Sequence, residues 1–323
     1  MTKLVFDVGG TALRCARWNN GRLDARAAAE SPGVAQRDAD DDETRVRAVT
    51  ERLTALGREV AGGTEVSELG LAFPGPVGSD GSVRQAPTLW GRELARPVQL
   101  ADRLGAAFDG ARVVLVNDVT AAGYRYADEL RDFCIVTVSS GIGNKLFFAG
   151  DVEVGPQHRG GEIGHWRIDD RADAPPCECG GRGHLGAIAS GRSTPWHLQQ
   201  LRAGAPELAA GSRLPAAATN HDLVAAFRAG DELARAVVER AAAALGQALA
   251  LLHVGVGVER FVVYGGFAQA LGDGYLDALR TAAAAHAWGE PSDWHARIRA
   301  GAADDDSGLI GMGVLLDRGS DRR

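Results

Sequence analysis

Three times along this chain a short apolar stretch runs straight into a glycine turn: Asp7-Val8-Gly9-Gly10-Thr11, Ser139-Ser140-Gly141-Ile142-Gly143 and Tyr264-Gly265-Gly266. Apolar runs punctuated in this way read as buried strands. Lys3 to Val8 is the first strand and Leu13 to Trp18 its hairpin partner. Glu68 to Phe73 is a strand that enters the turn Pro74-Gly75-Pro76, and Arg112 to Val116 is a strand with Asn117 and Asp118 at its C-terminal end. Phe133 to Val138 is another, with Lys145 to Ala149 pairing back across the glycine turn, and Arg260 to Tyr264 is the last. Between them lie helical patterns: Thr44 to Gly57, through Val46, Val49, Leu53 and Leu56, then Gln99 to Gly105, and Leu309 to Leu316. Residues 220–253 form the strongest, with Asn220 as its cap and Leu233, Val237, Leu245, Leu249 and Leu252 on one broad face. Strands alternating with helices specify an α/β protein.

A chain of 323 residues exceeds one ordinary core and implies two domains. Its net charge of -7 argues against a broad nucleic-acid or anionic-membrane footprint. No apolar run approaches the length that spans a bilayer. The start, Met1-Thr2-Lys3-Leu4, enters a strand directly, without the apolar core of a signal peptide. Four cysteines in such a chain make no disulfide framework. The default reading is a cytoplasmic protein with neither nucleic acid nor membrane as partner. Lysine occurs only at Lys3 and Lys145 while arginine and alanine abound, which reads as codon bias. Residues 37–44, RDADDDET, read as an acidic loop, and residues 155–193 are rich in Gly, His and Cys with no clear period.

Glycine turns let backbone N–H groups approach and donate to a phosphate, and a carboxylate such as Asp7 beside one can hold Mg2+ directly or through water. The same glycines also serve plain tight hairpins, and neither the Walker A nor the G-x-G-x-x-G spacing is present. Asp118 at a strand end can take the proton of an attacking hydroxyl or cap a helix; the local sequence leaves both open. The most specific signal is Glu162-Ile163-Gly164-His165 followed by Cys177-Glu178-Cys179 and His184. Two cysteines and two histidines within twenty residues fit a closed tetrahedral zinc site, structural because no position is left for water. Cys15 and Cys134 sit in apolar strands and read as buried filler.

In order, these segments resemble the motifs of the ROK family of sugar kinases and repressors. Asp7-Val8-Gly9-Gly10-Thr11-Ala12-Leu13-Arg14 is similar to its first phosphate motif, Phe73-Pro74-Gly75-Pro76-Val77 to its proline-glycine turn, and Val116-Asn117-Asp118-Val119-Thr120-Ala121-Ala122 to its catalytic segment. Gly161-Glu162-Ile163-Gly164-His165 with Cys177-x-Cys179 through Gly183-His184 resembles its zinc and sugar motif, and Val263-Tyr264-Gly265-Gly266-Phe267 its adenosine turn. The resemblance implies an actin-like ATPase (ribonuclease H-like) fold with two α/β domains around a central cleft. It implies ATP and Mg2+ held by Asp7, Gly9, Gly10, Thr11, Ser140, Gly141, Gly143, Gly265 and Gly266, and Asp118 as general base. Asn117, Asp118, Glu162 and His165 are implied to contact the acceptor, with His165, Cys177, Cys179 and His184 around a structural Zn2+. It also implies a homodimer or higher homo-oligomer. The expected domain limits are 1–118 plus 308–323, with the remainder, 119–307, forming the larger domain.

The departures bear on the acceptor. His184 stands where the family's knuckle usually ends in a third cysteine, Gly186 where a sugar-binding glutamate is common, and the loop Pro87-Thr88-Leu89-Trp90-Gly91 lacks the usual asparagine. Asn144-Lys145 replaces further glycines of the second loop. Two lost polar contacts weaken hexose binding by about 0.5–1.5 kcal/mol each. The sequence therefore points to an ATP-dependent kinase of a hexose-like substrate, with a valiolone-type C7-cyclitol as the favoured acceptor; Gly186 would leave room for altered ring substituents and Trp90 could pack on an apolar ring face. A glucokinase or other hexose or N-acetylhexosamine kinase is the alternative, and a non-catalytic sugar sensor the alternative of another class. A repressor is disfavoured, since no winged helix precedes the first strand.

Overall fold

The computed structural model describes residues 2–32, 41–91, 93–288 and 293–321. Five strands form the first sheet: β1 (Thr2–Val8), β2 (Ala12–Asn19), β3 (Arg22–Glu30), β4 (Val66–Phe73) and β5 (Arg112–Asn117), in the order β3-β2-β1-β4-β5. β1, β2 and β3 are antiparallel neighbours, whereas β1, β4 and β5 run parallel. The second sheet contains β6 (Phe133–Val138), β7 (Ile142–Phe148), β8 (Asp151–Glu153), β9 (Phe261–Tyr264) and β10 (Ile298–Ala300), in the order β10-β9-β6-β7-β8. β3 has no counterpart in the sequence pattern. Its residues, RLDARAAAE, are small or charged and largely exposed, so an edge strand was specified by pairing with β2 rather than by hydrophobic alternation.

The chain divides into two compact units. The first comprises Met1–Arg131, Phe147–Gly160 and Asp304–Arg323. Side chains along β1 alternate between the faces of its sheet. Leu4, Phe6 and Val8 join Leu13, Cys15, Val46, Val49, Leu53 and Leu56 in one core, under the helix Asp42–Ala61. Val5 joins Ala16, Trp18, Leu309, Met312 and Leu316 in a second, under the C-terminal helix Ser307–Asp321. That helix also lies close against the helix Asp118–Tyr124, where a Cβ on Gly311 would come within 1.7 Å of Ala121 O. Tyr124 donates to Asp151 Oδ1 at 2.8 Å, and Arg318 donates to Gly150 O. These contacts explain why residues 119–131 and 147–160 pack with the first unit, where the sequence-based limits assigned them to the larger domain. Of the acidic loop read at 37–44, residues 37–40 lie outside the described residues; Asp41 is the N-cap of the following helix, its carboxylate accepting from Thr44 N–H at 2.7 Å.

The second unit comprises Asp132–Leu146 and Gly161–Ala303. Its core gathers β6 and β9 with the helices that cover them, including Leu233, Val237, Leu245, Leu249 and Leu252. The helical stretch read at 220–253 is two helices, Asn220–Arg228 and Glu232–Val256. The first cap is Thr219, not Asn220: Thr219 Oγ1 accepts from Asp222 N–H, and Asp222 Oδ2 accepts from Thr219 N–H, a reciprocal capping box. Asp231 caps the second. Glu232–Val256 is long and apolar enough to cross a membrane, contrary to the sequence-based expectation, but 61% of its most apolar window is buried in the protein, as befits a core helix.

Candidate functional site

In the first unit the sequence-predicted residues collect at the C-terminal ends of parallel strands, where open α/β sheets bind ligands. Asp7 closes β1 and is paired in register with Arg14 on β2, whose Nη1 lies 3.4 Å from Asp7 Oδ2. Arg14 also donates to the backbone of Asp305 at 2.7 Å. Burial pushes the Asp7 carboxyl up to about 6; the Arg14 guanidinium opposes this and the Asp305 carboxylate adds to it. The start of the C-terminal helix is close by: a Cβ on Gly308 would sit 3.2 Å from Asp7 Cγ. Gly9 donates to Ala12 O at 3.0 Å to form the turn. Gly10 is required by packing, since its Cβ would lie 2.5 Å from Thr88 O, and Thr11 is exposed at the tip.

Of the two roles that the sequence left open for Asp118, capping falls to its neighbour Asn117. Asn117 is the helix cap, its Oδ1 accepting from Val119 N–H at 3.0 Å and Thr120 N–H at 3.3 Å. Its amide donates to Gly75 O at 3.2 Å, tying the Pro74-Gly75-Pro76 turn to the end of β5, because Phe73 and Asn117 are partners in register. Asp118 is the first helical residue, and its Oδ1 accepts from Asn117 Nδ2 at 2.8 Å and Val119 N–H at 2.8 Å. Its carboxylate is therefore rotationally fixed at the strand end. Trp90, by contrast, cannot pack on a substrate ring. It is 1% exposed and buried against Phe73, with ring centroids 5.5 Å apart. The buried Arg45 donates to its carbonyl.

In the second unit the other two glycine turns are neighbours. Gly265 follows β9 with φ +103°, a conformation open mainly to glycine. A Cβ there would lie 2.7 Å from Val138 O at the end of β6. Ser139 N–H donates to Gly141 O at 3.0 Å, closing the turn into β7, where half-buried Gly143 lies; Ser140 is exposed. Added Cβ atoms on Gly141 and Gly266 would meet no described atom within 4 Å. Internal packing thus explains glycine at positions 9, 10 and 265 but not at 141 and 266, where the uncovered backbone suits approach by a ligand.

Glu162 and His165 flank a single helical turn, Ile163–His165, that is fastened to β7. Ile163 N–H donates to the buried Asn144 Oδ1 at 3.0 Å, and a Cβ on Gly164 would come within 2.3 Å of Ile142 O. Lys145 Nζ lies 2.9 Å from Glu162 Oε1 and 3.1 Å from Gly161 O. Gly186 does not open onto free space as supposed: its Cβ would point at Gly164 O, 3.2 Å away.

One ligand atom from each of His165, Cys177, Cys179 and His184 falls within 4.8 Å of all the others. Cys179 Sγ and His184 Nδ1 are 3.2 Å apart, Cys177 Sγ and His165 Nδ1 4.0 Å. Tetrahedral Zn–S and Zn–N bonds place ligand atoms about 3.3–3.8 Å from one another, so the four groups lie close to the spacing that a tetrahedral metal site requires. The knuckle holds itself through Cys177 N–H to Gly181 O at 2.9 Å and Gly183 N–H to Pro175 O at 2.9 Å. Burial and the neighbouring Cys179 push the Cys177 thiol up, an arrangement that favours a shared cation over two bare thiolates. Cys15 and Cys134 are buried, as read from their strands.

The sequence marks Asn144 and Lys145 only as departures from the family's pattern. The available signal was rarity: Lys145 is one of two lysines in an arginine-rich chain.

The sequence profile of the ROK family matches residues 5–318. The chain is 40% identical over 330 residues to a C(7)-cyclitol 7-kinase of Streptomyces hygroscopicus subsp. limoneus, covering 97% of this chain and 93% of that protein. It is 29% identical over 329 residues to the N-acetylmannosamine kinase of Salmonella typhimurium, covering 98% of each. Among solved structures, a ROK family glucokinase from Streptomyces griseus in complex with glucose and AMPPNP matches 98% of this chain and 99% of its own, with a TM-score of 0.75 at 23% identity. The fold is thus that of the actin-like ATPases.

Proposed function

The chain belongs to the ROK family and is an ATP-dependent kinase of a sugar or cyclitol hydroxyl, and we propose that its acceptor is a valiolone-type C7-cyclitol, phosphorylated on its primary hydroxyl. The observation that carries the acceptor is the 40% identity over 97% of the chain to a C(7)-cyclitol 7-kinase, against 29% to an N-acetylmannosamine kinase. The side chains agree with a changed acceptor. Gly186 and the Pro87–Trp90 segment lack the glutamate and the asparagine common in the family, and Lys145 engages Glu162.

In the mechanism we assign, Asp118 accepts the proton of the attacking hydroxyl. The oxygen bonds to the γ-phosphorus as the bond from that phosphorus to the β,γ-bridging oxygen breaks, and ADP leaves with that electron pair. The two N–H donors on Asp118 Oδ1 fix the base, so little orientation remains to be lost on reaction. Asn117 and Glu162 orient the acceptor. Backbone N–H groups of the glycine turns, with Thr11 and Ser140, would hold the phosphates, and Asp7 would help to hold Mg2+, which would supply charge neutralisation for phosphoryl transfer. His165, Cys177, Cys179 and His184 would hold a structural zinc, which would fix the ring of His165 for contact with the acceptor.

The test is a comparison of kcat/KM with ATP for a valiolone, glucose, mannose and an N-acetylhexosamine, with Asp118→Asn as control. The valiolone should lead, and Asp118→Asn should lose about 10²–10⁴-fold in kcat. A clear preference for glucose would refute the cyclitol assignment. Equal inactivity of both proteins on every acceptor would favour a binding module.

A further inference from the structure

Lys145 is chemically out of place. Its side chain is only 5% exposed, and burying an ammonium is costly unless it is paired and hydrogen-bonded. Two acceptors of Nζ belong to the segment that carries the proposed acceptor-side residues: Glu162 Oε1 at 2.9 Å and Gly161 O at 3.1 Å. The pairing is asymmetric. Glu162 is 49% exposed, and its Oε2 accepts from no described residue. The charge that anchors is buried; the charge it anchors is presented.

The surroundings are shaped for this reach. Gly161 adopts φ +81°, and a Cβ there would lie 2.9 Å from Lys145 Cδ and 2.6 Å from Asn144 O, so the lysine stem passes where a side chain would have been. The preceding residue, Asn144, is 1% exposed and accepts from Ile163 N–H at 3.0 Å. Two consecutive residues of β7 therefore grip 161–163 from opposite sides of the strand: Asn144 through the backbone, Lys145 through the carboxylate.

We infer that Lys145 is a positioning residue for the acceptor. It fixes Glu162 through Oε1 and leaves Oε2 to accept a hydroxyl, so that this position selects for one donor group in a set orientation. Lys145 itself touches neither substrate. The inference rests on the reading that Glu162 binds the acceptor.

The experiment is a double-mutant cycle of Lys145→Met and Glu162→Gln, with KM measured separately for the acceptor and for ATP. A freely rotating carboxylate forfeits about the strength of one charge-assisted hydrogen bond, so Lys145→Met should raise the acceptor KM about tenfold, with the KM for ATP unchanged. In the Glu162→Gln background the same substitution should have almost no effect, because there is no carboxylate left to hold. Lys145→Arg should restore part of the loss, and Lys145→Gln should reproduce it if Lys145→Met does not fold. The inference is overturned if Lys145→Met raises the acceptor KM equally in both backgrounds, raises both KM values together, or changes neither. If Glu162→Gln leaves the acceptor KM unaltered, the reading of Glu162 falls instead.

Discussion

Asp7→Asn should make the ligand-free protein more stable while it damages catalysis. Burial lifts the Asp7 carboxyl from 3.8 to about 6, so the folded chain holds this proton more tightly than the unfolded chain does. Between these values the folded state binds the extra proton, and its stability must fall as pH rises. Above about pH 6 the full penalty is present, at most about 3 kcal/mol at 1.36 kcal/mol per pH unit of difference, and less in practice because 24% of the side chain still meets solvent. An uncharged amide escapes this penalty and loses only a long 3.4 Å contact with Arg14, which retains Asp305 as a partner. Thermal melts from pH 4 to 8 provide the assay. The variant should melt several degrees above wild type at pH 7.5, the gap closing as pH falls through 6 towards 4. Saturating Mg2+-ATP should narrow the gap at pH 7.5, because the bound cation repays only the ionised carboxylate. A gap of the opposite sign, or one indifferent to pH, would refute the assignment of Asp7 as a carboxylate kept charged for its ligand.

Gly265→Ala should destabilise the protein, since φ +103° and a 2.7 Å approach to Val138 O leave no room for a methyl, whereas Gly141→Ala should leave the melting temperature unchanged and raise the KM for ATP; both are read from melts and kinetics on the same samples. Cys177→Ser combined with Cys179→Ser should abolish the one zinc per chain expected in wild type by elemental analysis. Asn117→Ala removes a cap to Val119 and Thr120 together with the tie to Gly75, and should cost about 1–2 kcal/mol in chemical denaturation.

What could be read in the sequence was whatever local chemistry dictates. The strand ends were visible because an apolar run followed by glycine has few alternatives, and the four clustered Cys and His residues because their spacing closes one knuckle. β3 was invisible because its residues bury little of their own, and its strand state comes from pairing with β2. Thr219 was overlooked for Asn220 because both are good caps, and only the reciprocal bonds to Asp222 decide between them. Trp90 shows the limit most clearly. A tryptophan near a binding segment looks available, but Phe73 and the carbonyl-bound Arg45 enclose it through contacts 17 and 45 residues distant in sequence. Lys145 was conspicuous as a rare residue, yet its meaning depends on Glu162, across a turn whose path the composition did not reveal.

In the mechanism proposed above the two ends of the reaction are built from different materials, and this accounts for where the chain departs from its family's pattern. The phosphate end would be made largely of backbone N–H groups, whose position depends mainly on glycine being retained. The residues proposed for the acceptor end are side chains, and each is held by another group: Asn117 by Gly75 O, Asp118 by Asn117 and Val119, Glu162 by Lys145. Altering the holder of Glu162 would shift that acceptor contact without touching the base or the glycine turns, which is enough to change which hydroxyl fits. The departures at Asn144-Lys145, His184 and Gly186 are of this kind. Each touches the segment 161–165 or the ligand set that includes His165: Asn144 and Lys145 by hydrogen bonds, Gly186 by close approach to Gly164 O, and His184 within the metal-ligand cluster. A kinase of this construction can change its acceptor by substitutions that never meet the substrate.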